Sequence, residues 1–133
     1  MTRANEQGQG PVGEVTFPIL DQGELEKEAQ WLGGFITSWL DDEWCPQDVH
    51  VEIGKKLTLA YRRQRESGND EAATILLKLT PELQRVDFTE AFVSPFDVSN
   101  KAIEAVMFKH GYETCCSNDR DKKFLEDSLK TLS

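Results

Sequence analysis

From Leu25 onward the apolar residues of this chain return every three or four positions, and no segment alternates polar and apolar residues for long enough to demand a sheet. That periodicity confines the chain to an all-α fold, a single bundle of five to six helices in which each element buries one stripe against its neighbours. Leu25, Ala29, Leu32, Ile36, Trp39 and Leu40 mark a first helix over about 22–43, with Trp31 and Phe35 widening the stripe. Gly33-Gly34 interrupts it at roughly 1 kcal/mol per glycine relative to alanine, which points to a close helix crossing, a kink or a tolerated imperfection.

Cys45-Pro46 ends that segment, because proline disfavours helix in the residue before it and suits the first position of a new helix. A second helix over 46–66 buries Val49, Ile53, Leu57, Ala60 and Tyr61. Asp48 in its first turn and Arg62, Arg63 and Arg65 in its last both complement the helix dipole. Ser67-Gly68-Asn69 is a stop. A third helix over 70–79 carries Ala72, Ala73, Ile75, Leu76 and Leu79, and Thr80-Pro81-Glu82 then reads as a cap and first-turn proline, so that Leu83 begins a short new helix or a bent continuation.

Ser94-Pro95-Phe96-Asp97 has capping-box order, with Asp in place of Glu, and predicts a helix over 95–110 that Lys109, His110 and Gly111 close. Ser117 caps a last helix bearing Phe124, Leu125, Leu129 and Leu132. Residues 1–20 mix Gly, Gln, Asn and Pro without an apolar period and read as a flexible tail, with Val15, Phe17 and Ile19 as its docking points. The helical domain is then 21–133.

Composition limits the function classes. With 38% hydrophobic and 29% charged residues the chain is neither a disordered polyelectrolyte nor a membrane protein, and no apolar run approaches the ~20 residues of a membrane helix. Residues 1–13 lack the apolar core of a signal peptide and are poor in the Arg and Ser of a transit peptide, which fits a cytosolic protein or the mature part of an imported one. A net charge of −9 repels phosphate backbones and anionic lipid, so nucleic acid is excluded as a partner. Three cysteines are too few for a disulfide scaffold.

The charge is patterned. Residues 21–43 hold seven acids and one lysine, whereas 46–66 hold three acids and five basic residues. Asp41, Asp42 and Glu43, followed by Trp44, form an acidic and aromatic end that suits a basic partner; the plainer reading is a solvated helix end. Their spacing is not that of a calcium loop. Tyr61, Arg62 and Arg65 have the chemistry of an anion clamp, or of salt bridges that also complement the dipole. Cys45, His50, His110, Cys115 and Cys116 are sufficient in kind for zinc, but their spacing argues against a metal site.

The adjacent Cys115-Cys116, with Cys45 as a third member, suggests a thiol redox switch, or simply two ordinary thiols with one packed inward. With two histidines, one within a helix and one at a helix end, no nucleophile-base pair can be assembled with conviction, and acid pairs such as Asp97 and Glu104 or Asp87 and Glu90 arise by chance in so acidic a chain. The aromatic residues Trp31, Phe35, Trp39, Trp44, Phe88, Phe92 and Phe96 are expected to be mostly core, with an exposed edge near Trp44.

Trp39-Leu-Asp-Asp-Glu-Trp44, Pro46, Val49-His50, Ile53-Gly54, Tyr61-x-x-x-Arg65 and Phe92-Val-Ser-Pro-Phe-Asp-Val98 resemble segments of small helical proteins of chloroplasts and cyanobacteria, over about 39–107. The resemblance implies a stromal or thylakoid-associated accessory protein of a photosynthetic complex, delivered by a transit peptide absent from this chain. The resulting expectation is a non-enzymatic protein-interaction module without cofactor or metal, with protein partner and oligomeric state left open. The alternatives are a redox switch at the cysteines, or a small-molecule or phosphate-binding enzyme built on Tyr61, Arg62 and Arg65.

Overall fold

The structure is a computed structural model that describes residues 15–112 and 119–132. Its elements are α1 (Gln22–Glu43), α2 (Asp48–Glu66), α3 (Ala72–Leu83), α4 (Pro95–Lys109) and α5 (Asp119–Leu129), closed by a 3-10 turn at Lys130–Leu132. Among the described residues there is no strand, only an isolated antiparallel bridge between Thr16 and Glu71. The fold is therefore all-α, as the periodicity requires.

α1 starts where Asp21 accepts the Glu24 backbone N–H and Glu24 returns a carboxylate to the Asp21 N–H, a capping box that satisfies two orphan donors. The short link after Glu43 returns α2 antiparallel to α1: Asp41 meets His50, Gly33 meets Gly54, Glu28 meets Tyr61 and Gln22 meets Glu66. The expected close crossing is at Gly33. A Cβ there would lie 2.6 Å from the Gly54 carbonyl oxygen, and one on Gly54 would lie 2.6 Å from that of Gly33, so both glycines are needed for the helices to touch backbone to backbone. Gly34 faces open space.

α3 packs on α2 and α4, α4 also on α1, and α5 chiefly on α1. Leu32, Ile36, Leu40, Ile53, Leu57, Ile75, Leu79, Leu83, Val98, Ile103, Val106 and Leu125 are sealed between them, each burial contributing about 1.5–3 kcal/mol relative to exposure. The Ser94–Asp97 capping box forms as expected, Ser94 Oγ accepting from the Asp97 N–H at 3.1 Å and Asp97 accepting from the Ser94 N–H at 2.9 Å. Gly111 closes α4 at φ +86°.

Several expectations are corrected. α2 begins at Asp48, after Gln47, not at Pro46. α3 begins at Ala72 and runs through Pro81 to Leu83 instead of ending at Leu79. Proline is tolerated there because the bond it cannot donate belongs to Leu77, on a side of α3 open to water, and Thr80 donates its hydroxyl back to the Leu76 carbonyl at 3.2 Å. Of the three N-terminal docking points, Val15 and Phe17 are buried as expected, the Phe17 N–H donating to the Asp70 carbonyl at 2.8 Å and the Ala72 N–H to that of Val15 at 2.9 Å. Ile19, by contrast, is 87% exposed.

Candidate functional site

Two constellations concentrate the chemistry, one at the surface and one sealed inside. The surface one is the end of the bundle where α1 finishes. Trp44, the C-cap of α1, is 46% exposed, and its indole lies against the Phe92 ring, with centroids 5.2 Å apart. Phe92 is 66% exposed and Phe96 52%. The four-residue spacing of Phe88, Phe92 and Phe96 is thus not a buried stripe, because residues 84–94 are non-helical and the phase of the spacing carries no facing information there.

The acids beside this aromatic pair divide into two sets. Asp41 accepts from His50 Nδ1 at 2.7 Å; Arg120 of α5 reaches both Asp42 at 2.5 Å and Glu43 at 3.3 Å. Within the expected Asp41-Asp42-Glu43 patch, Arg120 thus bridges Asp42 and Glu43, and Asp41 is engaged by the His50 ring. Around the corner, Asp48 and Glu52 of α2 face Asp87 and Glu90 of the α3–α4 loop across a groove of about 330 Å³ whose wall also includes Val49 and Thr89. Asp48, Glu52 and Glu90 meet no cation among the described residues. Asp87 accepts from the Thr89 side chain and backbone at 2.5 and 2.9 Å, which holds its carboxyl below the usual range.

The sealed constellation centres on Glu28, whose side chain is wholly buried. One carboxylate oxygen accepts from Tyr61 and, at 3.3 Å, from Arg65 Nη1; the other accepts from Lys109 Nζ and His110 Nε2, both at 2.7 Å. Because an ionised carboxylate only accepts, His110 carries its proton on Nε2. Burial pushes the Glu28 pKa up, but the hydrogen bonds from His110, Lys109 and Tyr61 outweigh it and lower the pKa from 4.5 to about 2. Burial first, then the Glu28 charge, raises the Tyr61 hydroxyl well above its ordinary value.

Arg65 extends the network to the N-terminal segment. It donates to Asp70 at 3.0 Å, to Tyr61 at 2.7 Å and to the Pro18 carbonyl, and its guanidinium lies 5.7 Å from the Phe17 ring and 5.8 Å from that of Tyr61. Phe17 also packs on His110, and Tyr112 donates to the Thr16 carbonyl at 3.0 Å. The cluster thus clamps α1, α2, α4 and the segment over 15–18. Its charges are matched inside it, Glu28 and Asp70 against Arg65 and Lys109, and its donors are used.

The structure brings Tyr61 and Arg65 of the expected anion clamp together, with Glu28 as the anion they hold; Arg62 is turned to Glu26 at 2.8 Å. His50, also fully buried, pairs with Asp41, and its Nε2 has no partner; a sealed ring of this kind fastens α1 to α2 and is out of a substrate's reach. Cys45 is an exposed free thiol, whereas Cys115 and Cys116 lie outside the described residues. Among the described residues no group of three or more His, Cys, Asp or Glu side chains is arranged to hold a metal, and no helix is long and apolar enough to cross a membrane.

Sequence reasoning missed the Glu28 cluster, yet a signal was present. Glu28 occupies the buried stripe between Leu25 and Leu32, Arg65 follows Tyr61 by one turn, and His110 follows Val106 by one turn. A charged residue in phase with an apolar stripe needs a buried partner. Residues 14–110 match a domain of unknown function (DUF8822), a span that takes in Trp44, Phe92 and the Glu28 cluster through His110 and stops short of α5 with Arg120. No curated protein and no solved structure matches the chain.

Proposed function

We propose that this chain, which belongs to the DUF8822 family, is a non-enzymatic helical interaction module whose docking face is the aromatic end of the bundle around Trp44 and Phe92. The observation that carries the reading is the exposed contact between these two rings, each of which the described fold leaves about half open or more. Large aromatic side chains left open and touching each other supply the anchor on which protein interfaces concentrate their energy. The sealed cluster has the opposite character: its polar atoms are consumed internally, so it stabilises the scaffold that presents the face. On the resemblance to small chloroplast and cyanobacterial helical proteins alone, we extend the reading to an accessory role beside a photosynthetic complex in the stroma or at the thylakoid surface.

The test is affinity capture from the source extract with wild type and a Trp44→Ser, Phe92→Ser variant, both checked for folding by circular dichroism. Loss of specific partners from the variant is expected. An identical partner set in both would overturn the proposal.

A further inference from the structure

The character of the partner can be read from the surroundings of the aromatic pair, and the inference rests on the proposed docking face. We infer that the face takes a basic, apolar-anchored protein segment: an arginine or lysine side chain lies against the Trp44 and Phe92 rings while neighbouring cations of the same segment enter the groove between Asp48, Glu52, Asp87 and Glu90. The groove is lined by Asp48, Val49, Glu52, Asp87, Thr89 and Glu90, and the two rings stand close to it along the chain, Trp44 four residues before Asp48 and Phe92 two residues after Glu90. The rings provide the anchor; the acids select the sign of what binds.

The contrast between the two sets of acids supports that selection. Asp42 and Glu43 are spanned by Arg120, and Asp41 by His50, so that side of Trp44 is internally satisfied. Asp48, Glu52 and Glu90 are exposed and meet no cation among the described residues, and Asp87 is held only by Thr89. Four like charges across one groove repel each other and gain most from an incoming positive segment. An indole face beside them favours a guanidinium or ammonium over a neutral side chain. The apolar share of the partner is set by the open Trp44 and Phe92 rings.

The direct test is fluorescence anisotropy with a short labelled peptide of arginine and leucine, against an acidic peptide of the same length. Wild type is expected to bind the basic peptide and not the acidic one. Glu52→Lys, Glu90→Lys should weaken binding at least about tenfold. Glu126→Lys, Asp127→Lys on α5, with the same change in net charge, should weaken it far less. Equal weakening by the two variants would show attraction to the acidic chain as a whole and would overturn the inference. So would binding of spermine or Mg2+, read by a thermal shift, with no binding of the basic peptide, which would mark a small-cation site. If capture of natural partners depends on Trp44 and Phe92 while the peptide does not discriminate, the inference fails and the docking face stands. If capture ignores both rings, the docking face itself fails.

Discussion

Two neighbouring glycines in α1 are expected to respond to the same substitution with opposite signs. A Cβ added at Gly33 would sit 1.9 Å from Thr58 Oγ1 and 2.6 Å from the Gly54 carbonyl oxygen. Thr58 can rotate, although its hydroxyl would leave the Gly54 carbonyl that it donates to at 3.1 Å. The carbonyl itself cannot rotate away. α1 and α2 must part by roughly an ångström at their crossing, loosening Leu32, Ile36, Ile53 and Leu57, all of them fully buried. Overpacking of this kind costs about 3 kcal/mol, the upper part of its usual range, offset by about 1 kcal/mol of helix propensity. Gly33→Ala should therefore lose about 2 kcal/mol. Gly34→Ala, with nothing within 4 Å, should gain close to the full propensity difference of about 1 kcal/mol. Urea unfolding followed by circular dichroism measures both, with an unchanged denaturant slope as the control. A Gly33→Ala protein as stable as Gly34→Ala would refute the close crossing.

Other expectations concern the sealed cluster. Replacing Glu28 by Gln leaves Lys109 and His110 short of their anion and should lower stability at neutral pH by about 3 kcal/mol, read from the urea midpoint. Because the Glu28 pKa is depressed in the folded state, from 4.5 to about 2, its contribution is fully present above pH 4.5 and is lost as pH falls toward 2. That window corresponds to about 3 kcal/mol, and the wild-type and Glu28→Gln stability curves should converge across it; parallel curves would contradict the assignment. Phe17→Ala removes a ring that is 2% exposed and packs on His110 and Arg65, so a loss of about 3 kcal/mol is expected. A loss below about 1 kcal/mol would mean that the segment over 15–18 is not part of the core.

The helices were legible because their signals are local. The three-to-four spacing located α1, α2 and α4, and Ser94-Pro95-Phe96-Asp97 fixed the start of α4 to the residue. Gly33-Gly34 announced a crossing without revealing which glycine makes it, since that depends on Gly54 in another helix. Thr80-Pro81 left a new helix and a continuation both open, and the continuation holds because a proline within the last turn of a helix forfeits only one bond, here on the solvent side. In the N-terminal segment the apolar residues marked the docking points Val15 and Phe17, but not what they dock on, since Arg65, Asp70 and His110 lie far along the chain.

The surface was harder to read than the core. Trp44 was recognisable as an exposed aromatic edge, but its neighbour Phe92 belongs to a loop whose course the spacing does not determine. The acidity of 41–43 was visible as a run, and its pairing with His50 and Arg120 was not, because pairing across elements leaves no trace in a charge count. Among the described residues, Asp48, Glu52 and Glu90 are acids of this end that meet no cation, and the run at 41–43 gave no hint of them.

The claim that the exposed rings, and not the buried cluster, make contact with other molecules is tested most directly by comparing partner retention in two variants. Trp44→Ser, Phe92→Ser alters the face and leaves the core intact; Glu28→Gln weakens the core and leaves the face intact. At a temperature where circular dichroism shows both folded, the first should lose its specific partners and the second should retain them as wild type does. Retention by the ring variant together with loss from Glu28→Gln would contradict the account and move the functional site to the sealed cluster.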